Sequence, residues 1–214
     1  MPKTATRIII SVLFLTTAYV ILRYHIFKGV EWSHFPLFIL NKILAFAGFL
    51  MLVLSLGLEP VYRKKGPEWF SIRKFLGRTG LMLIVLHIFM SLLLFRPEVY
   101  DKFFDPGGTL NVVGEWSMLL GSLGIAAYIV MHNSFTNVEE GNGFQNFIRS
   151  PVFGLLALVL SVLHITVVGF SGWLTPGDWY GGMPSVSFLS AVFFLVALLV
   201  FLGGQLKSTE TNKK

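Results

Sequence analysis

Six apolar stretches, each close to the ~20 residues a helix needs to cross the hydrocarbon core of a bilayer, set the limits on what this chain can become. They run over about Arg7–Phe27, Pro36–Leu58, Arg78–Phe95, Asn111–Met131, Val152–Phe170 and Val186–Leu202. The breaks between them carry turn and charge signals: Arg63-Lys64-Lys65-Gly66-Pro67, Arg96-Pro97-Glu98, Asp105-Pro106-Gly107-Gly108 and Thr175-Pro176-Gly177-Asp178. A backbone surrounded by lipid has to satisfy its own hydrogen bonds, so each stretch is expected to be a helix. The fold class expected is all-α, a polytopic six-transmembrane-helix bundle. Composition agrees, since only 13% of residues are charged and 54% are hydrophobic. A soluble domain carries about 25% charged residues, so this chain has too few to cover a globular surface and is not an ordinary soluble enzyme. Cysteine is absent, which excludes disulfides, thiolate nucleophiles, iron–sulfur clusters and zinc-thiolate sites together. No internal repeat or glycine-rich phosphate loop is seen, and the connecting segments leave no room for a soluble nucleotide-binding domain. Residues 1–214 read as one membrane domain.

Orientation follows from the basic residues. With the N-terminus inside, the cytoplasmic side receives Lys3, Arg7, Arg63, Lys64, Lys65, Arg73, Lys74, Arg78, Arg149, Lys207, Lys213 and Lys214. The outer side receives only Arg23, Lys28, Arg96 and Lys102, while Lys42 lies within a span. This threefold bias predicts cytoplasmic N- and C-termini and explains the net charge of +6 without nucleic acid. Lys3 and Arg7 ahead of an apolar run have the form of a signal peptide. No small-residue cleavage site follows Ile21-Leu22-Arg23-Tyr24, so the first stretch is expected to remain as a span.

Ionisable residues inside spans are costly and are functional candidates by default. His87 lies within the third stretch and His164 within the fifth, each nine residues before an outer marker, Arg96 and Trp173. Both spans run outward, so the two histidines sit at one depth, about 13 Å below the outer boundary. Two imidazoles on co-oriented helices at matched depth can share one metal centre. Alternatively, each is neutral and hydrogen-bonded to a neighbouring hydroxyl or carbonyl. Ser91 and Ser161, one turn away, are candidates to take the second ring nitrogen. Zinc or copper would want further ligands, which are not visible at this depth, whereas a haem needs only two axial ones. Gly77, Gly80, Ala157 and Ser161 give small faces beside the histidines, and Gly114, Ser117, Gly121 and Gly124 a similar stripe on the fourth span. Small residues admit either a flat macrocycle or a neighbouring helix.

The run Ile72-Arg73-Lys74-Phe75-Leu76-Gly77-Arg78-Thr79-Gly80, continuing to Leu86-His87, resembles the third span of the ferric reductase-like transmembrane domain. Pro151 to His164 is similar to its fifth span, and Leu54-Ser55-Leu56-Gly57-Leu58-Glu59-Pro60 to the end of its second. That superfamily includes haem-binding membrane subunits of bacterial methionine sulfoxide reductase systems, six-transmembrane metalloreductases and NADPH oxidases. The resemblance implies haem b held by His87 and His164. Two-haem members carry a second histidine 13 or 14 residues nearer the cytoplasm on each ligand helix. Here those places hold Arg73 and Lys74, and Ser150 and Pro151, which implies one haem per chain. It further implies a bacterial inner (plasma) membrane protein acting as the electron-transfer subunit of an oxidoreductase, delivering to an acceptor at the outer face. Its partners would then be lipid and a redox protein or other membrane subunits. The alternative is a haem-free integral subunit that anchors or stabilises a larger membrane complex.

Remaining features have simpler explanations beside functional ones. The basic segment Arg63 to Arg78, with Trp69 and Phe70, is expected either to anchor at the inner surface or to dock a flavin there. Trp173 and Trp179 fit an interfacial aromatic belt or a cover over the haem edge. His25, His34 and Glu31 are solvated loop residues or an external metal site. Lys42, about 9 Å into the second span, either snorkels outward, pairs with Glu115, or meets the propionates of a haem.

Overall fold

The computed structural model describes residues 2–134 and 143–211, so the orientation signals Lys213 and Lys214 lie outside the described residues. Among the described residues eight α-helices follow in chain order: α1 (Lys3–Ile21), α2 (Leu40–Leu52), α3 (Glu59–Lys65), α4 (Pro67–Leu94), α5 (Val112–Ser134), α6 (Gly143–Ile148), α7 (Pro151–Trp173) and α8 (Val186–Thr211). Strand-like pairing among the described residues is confined to one isolated bridge, Phe104 to Leu110. Six segments are long and apolar enough to cross a membrane: Lys3–Phe27, Trp32–Gly57, Pro67–Leu94, Val112–Ser134, Pro151–Trp173 and Tyr180–Gly204. The all-α six-span bundle expected from hydropathy is the architecture observed.

Its boundaries differ at one place that matters. The third span begins at Pro67 rather than Arg78, so the basic run through Arg73 and Lys74 is helical and not a loop. Charge alone does not stop a helix. The stop is Gly66, whose φ of 95° places it in the left-handed region, followed by Pro67 at the first helical position. Arg73 is then carried along α4 to meet the second span: its Nε donates to the Ser55 carbonyl at 3.0 Å, and the Ser55 hydroxyl donates to the Arg73 carbonyl at 2.9 Å.

The second span is the hub. It is 56% buried across its apolar window, against 11% for the third. It packs on α1, α4 and α8, while α7 packs on α5 and α8. Hydrophobic contacts around Phe49, Leu52 and Leu56 join it to Tyr128 of α5, Leu158 of α7 and Phe194 of α8. Three turns of π-helix interrupt the first two spans, at Leu22–Phe27, Phe35–Ile39 and Val53–Gly57. The middle one immediately precedes Asn41 and Lys42 on α2.

Helices in lipid gain little from hydrophobic burial against one another, so close backbone approach has to supply the attraction. At the crossing of α2 and α4, a Cβ on Gly80 would stand 2.9 Å from the Gly48 carbonyl, and one on Gly48 would stand 3.1 Å from that of Gly80. Gly80→Val is therefore expected to force the two helices apart and cost about 1–3 kcal/mol. Thermal unfolding in detergent, followed by tryptophan fluorescence, checks this. Gly203→Ala, whose added Cβ meets nothing within 4 Å, serves as the neutral control.

Candidate functional site

The two intramembrane histidines sit on helices that share no extended packing face: α4 is held by α2, and α7 by α5 and α8. His87 stands about two turns before the end of α4 at Leu94, and His164 about two and a half turns before the end of α7 at Trp173. His164 is close enough to His87 for the charge of one ring to reach the other. Among the described residues no group of three or more His, Cys, Asp or Glu side chains gathers for a metal ion. The pair stands without a third ligand of those types.

Both rings are held through the same atom. His87 Nδ1 lies 2.7 Å from Asn41 Oδ1, and Asn41 Nδ2 donates to the Ser91 hydroxyl at 3.0 Å. With the amide nitrogen committed to Ser91, Oδ1 is left as the acceptor and His87 Nδ1–H as the donor. His164 Nδ1 lies 2.8 Å from the Ser117 carbonyl, which can only accept, so it too carries its proton on Nδ1. The Ser117 hydroxyl is farther off, at 3.4 Å. In both rings Nε2 is left with its lone pair and with no hydrogen-bond partner among the described residues. Neither Nε2 is sealed in the core, and both side chains are partly exposed.

The supporting residues differ in part from those expected. Ser91 does approach His87 Nδ1, at 3.4 Å, but the primary partner is Asn41. Ser161 does not serve His164. Its hydroxyl donates to the Ala157 carbonyl at 3.0 Å, and the Tyr128 hydroxyl lies 3.2 Å from the same oxygen. A serine in mid-helix has its own carbonyl one turn back as the nearest acceptor, and that local bond wins. The small residues beside the histidines seat helices: Gly77 faces Ser55, Gly80 faces Gly48 and Leu52, and Gly124 faces Ser161. Gly121 has a further role, because a Cβ there would stand 3.2 Å from His164 Nδ1. It leaves the ring room to reach the Ser117 carbonyl.

An aromatic loop between α4 and α5 packs on the second span. Tyr100 packs near Phe38 of the second span, with ring centroids 6.2 Å apart, and Phe103 is buried against Phe95. Desolvation raises the Tyr100 phenol from its usual value, while the Asn41 side chain acts in the opposite sense. The loop thus reaches the residue that holds His87. On the other side, Lys102 Nζ donates to the Val168 carbonyl at 2.9 Å, one turn beyond His164. Lys42 is half-buried on α2, with its ammonium over the rings of Phe38 and Tyr24 at 4.4 and 5.0 Å. Glu115 is exposed and forms no ion pair with it. Asn41 and Lys102 are the site residues that sequence reasoning passed over. An Asn-Lys dipeptide inside an apolar span was the available signal for the first.

Elsewhere the structure separates the other candidates. His25 is buried in the π-helical turn, stacked on Trp32 at 4.0 Å with Nδ1 on the Val30 carbonyl at 2.7 Å, while His34 is exposed. Trp173 donates to the Ser187 hydroxyl at 2.9 Å and Trp179 to the Gly172 carbonyl at 2.9 Å, so both bind the outer connection. At the basic end Trp69 stacks on Tyr62 at 6.0 Å and takes Lys65 Nζ over its ring at 4.1 Å, and Phe70 is exposed. Ser150 caps α7 by accepting from the Phe153 amide at 3.2 Å, with Pro151 opening the helix. Compared with known proteins, the chain matches no family model and no curated sequence.

Two substitutions separate the ways the rings are held. Asn41→Leu removes the acceptor of a buried imidazole N–H and is expected to cost about 1–3 kcal/mol of stability. Ser117→Ala keeps the backbone carbonyl that His164 uses and is expected to cost less than about 1 kcal/mol. Paired thermal unfolding curves in one detergent check the difference.

Proposed function

We propose that the chain is a single-haem transmembrane b-type cytochrome, with His87 and His164 as the axial ligands of one haem b between the third and fifth spans. One observation carries the reading. Both imidazoles are pinned through Nδ1, which leaves the two Nε2 lone pairs open on helices that share no extended packing face. A metal-bound histidine needs such an arrangement, since the partner of the second nitrogen fixes its tautomer and aim. Two neutral imidazoles with no carboxylate or thiolate beside them suit iron in a macrocycle, which needs only axial ligands, better than zinc. A haem held there by His87 and His164 would supply one-electron chemistry.

The residues of the chain do the rest. Asn41 and the Ser117 carbonyl hold the rings against rotation, Gly121 leaves His164 room, and the loop around Tyr100 and Phe103 limits water at the outer end. Toward the basic end, Arg73 is committed to Ser55, and Ser150 and Pro151 to the start of α7, so a second ligand pair is lacking on these helices. The basic end is read as cytoplasmic, with both termini there, in a bacterial inner membrane. In this reading the chain is an electron-transfer subunit serving a redox partner or further membrane subunits. Lys42 is assigned to a haem propionate. A flavin at the cytoplasmic face would rest on Arg63, Lys64 and Phe70, because Trp69 is already stacked between Tyr62 and Lys65.

The purified full chain is expected to show a Soret band and sharp reduced α and β bands after dithionite. Pyridine haemochrome against protein mass should give about one haem per chain, as expected of a single bis-imidazole site. His87→Ala and His164→Ala should each abolish the low-spin spectrum. Full haem content in both variants would overturn the ligand assignment, and a colourless wild-type protein would leave the haem-free anchoring subunit as the reading.

A further inference from the structure

Two lysines frame the histidine pair. Lys42, on α2, holds its ammonium over the Phe38 ring at 4.4 Å, and Lys102, in the short helical turn Asp101–Phe103, donates to the Val168 carbonyl of α7, one turn beyond His164, at 2.9 Å. Lys42 is an electrostatic neighbour of His87, Lys102 of His164, and the two lysines of one another. A run of rings, Phe38 to Tyr100 to Phe103, joins the Lys42 and Lys102 ammoniums and closes a circuit with the two imidazoles.

That circuit contains no anion of its own. The other charges acting on Lys42 are Lys28 and Arg23, both positive. Asp101 is the one opposing charge at Lys102, and its carboxylate already accepts from the Lys102 backbone amide at 2.7 Å. Arg23 is 5% exposed, with one guanidinium nitrogen buried and unpartnered. Desolvation, followed by the like charge of Lys42, holds Lys102 down at about 8. Two ammoniums at the edge of a low-dielectric region repel one another unless negative charge comes between them.

We propose that Lys102 and Lys42 together seat a ligand that carries two carboxylates and whose body lies between His87 and His164. The inference rests on the haem reading, in which the carboxylates are the two propionates. Lys42 comes from the second span and Lys102 from the loop before the fourth, so each takes one carboxylate. Together they set the ring with its acidic edge toward the outer surface. Lys102 also ties the loop, through Val168, to the helix that carries His164.

The full chain, produced in haem-deficient cells, is reconstituted with haem or with haem dimethyl ester, which lacks both charges. Haem release to apomyoglobin and the reduction potential are then measured. Wild type is expected to retain haem about tenfold longer than the ester, or more, as charge-assisted hydrogen bonds imply. Lys102→Gln and Lys42→Gln should each narrow that ratio, the double variant should bring it near one, and Lys102→Arg should restore it. The Soret position should stay unchanged throughout, because the axial histidines are untouched. Equal retention of haem and ester by wild type overturns the two-carboxylate seat and leaves the cytochrome reading standing. Undiminished discrimination in Lys102→Gln overturns the role of Lys102. Failure of wild type to take up either porphyrin overturns the cytochrome reading itself, and the seat with it.

Discussion

A bilayer interior offers no water to a polar group, so each one must find its partner within the protein or be carried to the surface. This constraint organises the bundle. Asn41 is the clearest case: one amide, 2% exposed, joins the second span to the third through both Ser91 and His87. Its position depends on the close crossing of α2 and α4 at Gly48 and Gly80, which in turn is anchored by the reciprocal bonds between Arg73 and Ser55. Were that crossing wider, the amide would span a longer distance than a hydrogen bond allows and His87 would lose its orientation. The site is in this sense a product of helix packing.

The two histidines are supported in different ways. His87 depends on a side chain from another helix, whereas His164 depends on a backbone carbonyl of α5, which no substitution removes. The side-chain partner can be tuned, because its acceptor strength changes with residue type. The backbone partner varies only with the distance between α5 and α7, and Gly121 and Gly124 keep that distance short. The support of one histidine is thus open to chemical adjustment and that of the other is set by geometry.

Much of this was legible in the sequence because hydropathy and lipid physics demand it. Six apolar stretches with no other way to satisfy their backbones had to be helices, and His87 and His164 stood out as polar groups at one depth. Charge marks the start of the third span poorly, because Arg73 has a use inside the helix, on the Ser55 carbonyl. Periodicity could not separate the two uses of small residues, so the glycines of α4 became seats for α2 only once the neighbours were visible. Asn41 and Lys102 were missed for a related reason. Each acts across a long sequence separation, on His87 and on Val168, and no local pattern records such a contact.

At the outer end, the Pro184 carbonyl accepts from both the Tyr19 hydroxyl and Arg23 Nε at 2.7 Å, joining the first span to the segment that precedes the last. The consequence concerns the order in which the molecule is made. During synthesis the first span enters the membrane with its arginine and tyrosine lacking this acceptor, and it cannot supply one itself. Only when the sixth span follows does the carbonyl arrive. Until then α1 is held by its contacts with the second and third spans, and the bundle remains open along one seam. The last part of the chain to be translated therefore fastens the first, and a nascent protein stalled before Pro184 would be inserted but not closed.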